Sequence, residues 1–180
     1  SYPQGGNGSV IYETPPRLNQ VTSGHGSSNN LTFTCQLLIS QSVNTYVVLI
    51  NSSVSPEYSR IADYSFALYS LAGEQVMSDS VRVAPFGVKV LDIAQLTHGR
   101  IAEEARDPQD GLSCFTFVGI SENAALLVLL VNASPALGGV SVEHTHPSQE
   151  YILPFDKAQQ RTVKGEAQKA WSSILSGGRR

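Results

Sequence analysis

Two histidines and a carboxylate lie within seven residues near the end of the chain, and their types suit metal chemistry. If Val140 to His146 forms a strand, side chains alternate between its faces, so His144 and His146 share one face. Pro147 to Gln149 then predicts a turn. A hairpin closing at that turn would place Glu150 opposite His146, so that two imidazoles and one carboxylate converge.

Imidazole and carboxylate ligands together suit a divalent metal ion such as zinc, nickel, manganese or iron. Three protein ligands would leave an open coordination position for water or substrate, with His98 or His25 as the candidate fourth ligand. The alternative is that His144 and His146 are polar residues at a strand end near solvent. The sequence leaves both interpretations open.

The spacing of Gly138, His144, His146 and Glu150 resembles the first metal-binding motif of the cupins. The resemblance covers residues 138–150 and implies a divalent-metal site. Further on the sequence departs from that family, because Lys157 stands where a glycine is expected and no histidine follows His146 as the fourth ligand. Only 34 of the 180 residues follow His146, so the second half of a cupin barrel is not expected.

The composition limits the class of protein. With 180 residues the chain fits one domain that can bury a single core. Charged residues make up 15% against a usual ~25%, and uncharged polar residues are plentiful, which favours a secreted, periplasmic or cell-surface protein. No apolar run reaches ~18 residues, so a membrane span is not expected. Basic patches interleaved with aromatic residues are missing, so nucleic-acid binding is not expected either.

Short segments of alternating polarity follow residues 1–30, an extended arm rich in Gly, Ser, Asn and Pro. Val47 to Ile50 is apolar on both faces, which predicts a central strand. Ala124 to Val131 is apolar throughout, and a hairpin into Val140 is favoured there over a helix. The predicted strands are Leu31–Ser40, Thr45–Ser52, Ala62–Leu71, Glu74–Ala84, Val88–Ile93, Ser113–Ile120, Asn123–Asn132 and Val140–His146.

The two cysteines, Cys35 and Cys114, both fall in predicted strands. A disulfide and two buried thiols are both compatible with this placement, because sequence alone does not fix the distance between the side chains. An immunoglobulin-like sandwich is set aside. The only tryptophan is Trp171, far from the position that such a core requires.

The last segment has helical spacing. Asp156 followed by Gln159 resembles an N-cap with its partner, and apolar residues from Val163 onward recur at helical intervals. Gly165 costs a helix about 1 kcal/mol relative to Ala, so a start after Gly165 is the alternative to one at Asp156. Residues 157–180 carry +5 and leave −8 on the rest, which favours docking of this helix on its own sheet over an outside partner. The side chains expected to dock are Trp171, Ile174 and Leu175.

Regularly spaced strands with turn signals predict an all-β fold, either an antiparallel β-sandwich or a jelly-roll-like barrel, with one C-terminal helix. The expected organisation is an arm over residues 1–30, a β-sandwich over 31–155, and an amphipathic helix with a basic tail over 156–180. The segments that carry a second resemblance are Tyr46–Asn51, Tyr64–Leu71, Gly73, Val81–Val83, Pro85, Val88–Ile93 and Val142–Thr145. This succession resembles small β-sandwich proteins related to the sensory rhodopsin transducer, and it implies small-ligand binding or a signalling partner.

Two functions of different classes remain. The first is a non-catalytic β-sandwich module that binds a small ligand or a protein partner, with a homo-oligomer left open. It is preferred because the sequence lacks a phosphate-binding loop, a nucleophile elbow and a His-Glu-x-x-His motif. The second is a metal-dependent enzyme or metal-binding domain that uses His144, His146 and Glu150.

Overall fold

A computed structural model describes residues 31–53, 55–98, 113–121, 123–124, 126–134, 138–145, 162, 165–166 and 169–175. The strands within these ranges are β1 (Leu31–Ile39), β2 (Asn44–Ile50), β3 (Ala62–Ser70), β4 (Gln75–Val83), β5 (Val88–Asp92), β6 (Ser113–Ser121), β7 (Leu127–Ser134) and β8 (Gly139–His144). A short helix, α1 (Ile93–Thr97), follows β5. Residues 162, 165–166 and 169–175 are helical, and we name this segment α2.

The eight strands form two four-stranded antiparallel sheets. Sheet A has the order β1-β6-β3-β4 and sheet B has the order β5-β2-β7-β8. The sheets are separate, so the predicted all-β fold with a C-terminal helix is confirmed in its sandwich form and not as a closed barrel. Val47 to Ile50 lies in β2, an inner strand of sheet B, as its two apolar faces predict.

The core lies between the sheets and is rich in aromatic rings. Phe66 and Phe117 stack with their ring centroids 5.6 Å apart, and Tyr64 also stacks with Phe117, at 6.4 Å. All three side chains are almost fully buried, and each contributes roughly 1.5–3 kcal/mol by leaving water. The phenol of Tyr64 crosses over Gly119, where an added Cβ would overlap its ring. Position 119 therefore requires glycine.

Polar groups tie the two sheets together at one end of the core. Thr45, a fully buried residue of β2, has its hydroxyl 2.9 Å from both the backbone N and the backbone O of Leu38 in β1. The same hydroxyl forms a short hydrogen bond with the side chain of Asn132 in β7. Buried polar atoms need hydrogen-bond partners, and Thr45 finds its partners in both sheets. It thus links β1 of sheet A to β2 and β7 of sheet B.

The crossing from β4 to β5 is a tight turn held by Asn51. Pro85 and Phe86 form its centre, the N of Gly87 donates to the carbonyl of Ala84 at 2.9 Å, and Phe86 has φ of 56°. A positive φ at this turn position is strained for a residue with a side chain. Asn51 is fully buried and its backbone N donates to the carbonyl of Gly87 at 3.0 Å, which holds the strained turn against the end of β2.

Both helices pack against strands. Asp92 caps α1 by accepting from the N of Gln95 at 3.0 Å, and Ile93 of α1 is fully buried in the core between the sheets. No helix among the described residues is long and apolar enough to cross a membrane.

Helix α2 lies on the outer face of sheet A. Leu175 is 6% exposed and packs with Ala67 and Ile120, while Trp171 meets Tyr69 edge-on at 5.4 Å. Burial under this contact raises the pKa of Tyr69. Two of the three expected docking residues therefore make the contact. Ile174 is 45% exposed and does not lie in it.

The alternative start of α2 after Gly165 is wrong, because residues 162 and 165 are already helical, and the predicted N-cap Asp156 lies outside the described residues. Gly165 is therefore inside the helix. Packing of the C-terminal end on sheet A stabilises a helix beyond intrinsic propensity, and this contribution outweighs the cost of about 1 kcal/mol for one glycine.

Candidate functional site

The first of the predicted metal ligands, His144, is the last residue of an edge strand of sheet B. β8 is an edge strand that ends at His144, whose backbone pairs with Leu129. Both the N and the hydroxyl of Thr145 donate to the carbonyl of Val128, at 3.2 and 3.0 Å. The side chain of His144, and all of His146 and Glu150, lie outside the described residues, so their convergence stays a prediction.

The described residues contain no group of three His, Cys, Asp or Glu side chains that could hold a metal ion. His98, one candidate fourth ligand, is an exposed C-cap of α1, and His25 lies outside the described ranges. Cys114 is half-buried in β6 and makes no disulfide with a described side chain. The side chain of Cys35 is not among those described, so the pairing of the two cysteines also stays open.

A groove of about 580 Å³ opens between α2 and the outer face of sheet A. Such a volume falls in the range of small-molecule sites, roughly 300–1,000 Å³. Strands β3 and β4, the turn after β6 and the last turns of α2 form its walls. Its lining residues are Asp63, Tyr64, Ser65, Ser80, Val81, Arg82, Ile120, Asn123, Ser172 and Leu175.

An ion pair lies at this groove. Asp63 of β3 and Arg82 of β4 face each other across the ladder, and the Nε of Arg82 donates to the Oδ1 of Asp63 at 3.1 Å. Both side chains are mostly exposed, so the pair contributes at most about 1 kcal/mol to stability. Little stability is therefore lost if a ligand takes over part of this pairing.

Asn123 orients the carboxylate of Asp63. Its amide Nδ2 donates to the Oδ2 of Asp63 and to the carbonyl of Ile61, both at 3.0 Å. Its Oδ1 accepts from the backbone N of Asp63 at 3.0 Å and from the hydroxyl of Ser121 at 3.1 Å. One amide thus fixes the start of β3 against the turn after β6, and with it the direction of the carboxylate.

The rest of the groove combines hydroxyls with a small apolar wall. Ser65 and Ser80 pair directly across β3 and β4, one step along the ladder from the ion pair on the same face. Ser172 of α2 adds a third hydroxyl, while Ile120 and the buried Leu175 supply aliphatic surface. The arrangement offers a cation, an anion, hydroxyls and a short apolar contact within one concave surface.

None of these groove residues was a predicted site residue. Asp63 and Arg82 are 19 positions apart, and Asn123 is 60 positions from Asp63. The sequence contains one signal for this ion pair: an acidic residue, Asp63, and a basic residue, Arg82, lie on two strands joined by the turn at Ala72 and Gly73. Opposite charges directly across a ladder stabilise it, so such a pair predicts neighbours, though not a groove.

Comparison with known proteins says nothing about the chemistry of this chain. No family model matches this chain, and no curated protein matches it. The crystal structure of Thermotoga maritima 1070 is similar, with a TM-score of 0.49 and 9% sequence identity, over 68% of this chain and 96% of that chain.

Proposed function

We propose that this chain is a non-catalytic β-sandwich module that binds a small zwitterionic molecule, such as a free amino acid, in the groove between α2 and sheet A. The observation that carries the proposal is the Asp63–Arg82 pair in a concave surface of about 580 Å³. A metal-dependent activity at His144, His146 and Glu150 is kept as a prediction for direct test.

The ligand class follows from the chemistry of the groove. Arg82 bonds Asp63 through Nε alone among the described residues, and a guanidinium can hold a carboxylate through two parallel N–H donors. Asp63, whose carboxylate is held by Asn123, is the complementary site for an ammonium group. A short side chain would lie against Ile120 and Leu175.

The groove chemistry favours binding over catalysis. Asp63 and Arg82 are its charged lining residues in the described part of the chain, and they neutralise each other. Neither a histidine nor a cysteine is among those lining residues. A serine nucleophile needs an adjacent base, and the Asp63 carboxylate, the one carboxylate among these lining residues, is already engaged by Arg82 and Asn123.

A titration followed by amide NMR tests the proposal. Free amino acids and small dicarboxylates are added in turn to labelled protein, and the expected shifts are confined to residues around Ser65, Ser80 and Asn123. Arg82→Gln should weaken the binding at least ~10-fold, which corresponds to loss of one charged hydrogen bond. Shifts that lie elsewhere, or the absence of any shift with all probes, would contradict the proposal.

Lys89→Gln is the matched control. Lys89 is an exposed cation of β5 in sheet B, so its removal changes net charge as Arg82→Gln does but leaves the groove intact. Equal affinities of the two variants would show that any binding reflects net charge and not the Arg82 guanidinium.

A further inference from the structure

Sheet B carries aliphatic side chains on both of its faces. Val47 and Leu49 of β2 point into the core and are fully buried. The residues that alternate with these along each strand form the outer face of sheet B. On that face, side chains that are neighbours across the strands lie in rows. One row consists of Val90, Val48 and Leu129, and the next consists of Val88, Ile50 and Leu127.

This outer face is open in the described part of the chain. Val88 is 58%, Val90 51% and Val140 67% exposed. The outer face of sheet A, by contrast, is covered by α2 through Leu175. An antiparallel sheet with one face in water normally alternates apolar and polar residues, which β2 and β7 do not do. A contiguous aliphatic face of this kind marks an interaction surface.

We propose that two copies of this chain associate through the outer faces of sheet B in a two-fold symmetric dimer. This proposal is independent of the groove, which lies on the other sheet.

The side chains on the outer face of sheet B favour a partner that also presents an aliphatic face. Among the described side chains on the outer face of sheet B, that of Asp92 is the one that is charged, and its carboxylate accepts from the side chain of Asn44 and the N of Gln95. A charged partner would therefore find no complementary charge there. Two sheets pack well face to face at a spacing of ~10 Å, and a two-fold axis needs only one such patch on each copy.

The size of the face sets the expected strength. Four strands span ~19 Å and seven residues span ~24 Å, so each copy offers ~450 Å² in projection. Two copies bury ~900 Å², and protruding side chains add to this area, which brings it close to the ~1,000 Å² at which specific interfaces begin. The dimer is therefore expected to be weak and to depend on concentration.

Sedimentation analysis of the full chain tests the proposal from low micromolar to submillimolar concentration. The wild type should change from monomer to dimer across this range. Val90→Lys and Val140→Lys place a charge in the dimer interface without opening the core, because both residues are exposed in one copy. Each variant should weaken the dimer at least ~10-fold, since the new ammonium is buried without a partner.

Leu71→Lys is the matched control. Leu71 is 76% exposed in the turn between β3 and β4, far from sheet B, so this variant should dimerise as the wild type does. Circular dichroism and melting curves verify that every variant is folded. A wild type that stays monomeric at all concentrations would overturn the proposal and assign the face to another segment of the chain or to another partner. A dimer that survives both valine substitutions would also overturn it.

Discussion

At the scale of single residues, one buried amide organises the crossing between the sheets. The Nδ2 of Asn51 lies 2.9 Å from the carbonyl of Arg60, 3.0 Å from that of Val83 and 3.1 Å from that of Ala84. Its Oδ1 accepts from the hydroxyl of Tyr58 at 2.8 Å. Asn51 therefore supplies hydrogen-bond partners to backbone carbonyls that belong to a loop and to the end of β4.

Asn51→Leu should lower the free energy of unfolding by about 2–4 kcal/mol. The leucine is of similar size, so the loss comes from buried carbonyls and a hydroxyl left without partners. Urea denaturation measures the change. Tyr58→Phe removes one of these hydrogen bonds and should cost only about 1 kcal/mol. Equal costs for the two variants would show that the carbonyls find other partners and that Asn51 is not the organising residue.

Tyr64 gives the core a defined response to pH. Burial raises the pKa of its hydroxyl above the ordinary value of about 10, and the side chain of Thr32 opposes this rise only in part. The folded state keeps the phenol neutral where the unfolded chain releases its proton. The stability from Tyr64 is thus fully present below pH ~10 and is lost as pH rises further, by up to ~1.4 kcal/mol per pH unit.

Tyr64→Phe should remove that part of the alkaline loss of stability. Unfolding curves of the variant and the wild type are compared at neutral pH, where both rings are uncharged, and again above pH ~10. The difference between the two proteins should move in favour of the phenylalanine variant as pH rises. A constant difference across this range would mean that the Tyr64 phenol ionises equally easily in the folded and unfolded states.

The metal hypothesis at His144, His146 and Glu150 has its own test. Stoichiometric zinc, nickel, manganese or iron should bind at neutral pH and weaken as pH falls through about 6.5, because imidazole must be deprotonated to ligate. Calorimetry measures the binding. The double change His144→Ala, His146→Ala should abolish metal binding without unfolding the sandwich. His98→Ala tests the fourth ligand, because it should leave metal binding unchanged if His98 does not contact the metal. A heat of binding that the double variant retains would contradict the hypothesis.

At the scale of elements, α2 is attached to sheet A by a small apolar contact. Leu175→Ala should cost about 2–4 kcal/mol, since Leu175 is nearly fully buried against Ala67 and Ile120. Ile174→Ala is the control on the same helix and should cost less than about 0.5 kcal/mol beyond its effect on helix propensity. Thermal unfolding compares the two. A larger loss for Ile174 would mean that the helix docks in a different rotation.

Alternation of polarity was enough to predict most elements of the sandwich. The predicted strand Ala62–Leu71 is found as β3, in which Tyr64, Phe66 and Leu68 share one face and are buried in the core. Two apolar faces predicted that Val47 to Ile50 is an inner strand, which sheet B confirms. Parity could not predict which strands share a sheet, because both sheets present the same kind of apolar face to one core.

The pairing of Asp63 with Arg82 at the groove depends on a single bulge. The pairing of β3 with β4 shifts by one residue between Leu68 and Tyr69. Without this shift, the turn would place Asp63 opposite Val81, which belongs to the other face, and the ion pair with Arg82 would not form. A one-residue irregularity of this kind leaves little trace in hydrophobic periodicity, although it decides which side chains meet.

At the scale of the whole molecule, charge is divided unevenly along the chain. The total is −3, and residues 157–180 hold six basic residues against Glu166, which leaves −8 for residues 1–156. Helix α2 belongs to the positive segment, residues 157–180. It packs on sheet A, which belongs to the negative segment, residues 1–156. Attraction between the two parts therefore adds a long-range term to the short-range contacts of Trp171 and Leu175.

Salt should separate these two contributions. The Debye length falls from about 10 Å at 0.1 M to about 3 Å at 1 M, so charges that are not in contact cease to attract each other. We expect the stability lost on deleting residues 157–180 to shrink by about 1 kcal/mol between low and high salt, measured by urea denaturation in two different salts of equal ionic strength. The cost of Leu175→Ala should stay constant, because apolar burial is not screened. If the deletion cost instead stays constant or grows with salt, docking of α2 rests on apolar contact alone, and the opposite charges of the two parts serve solubility.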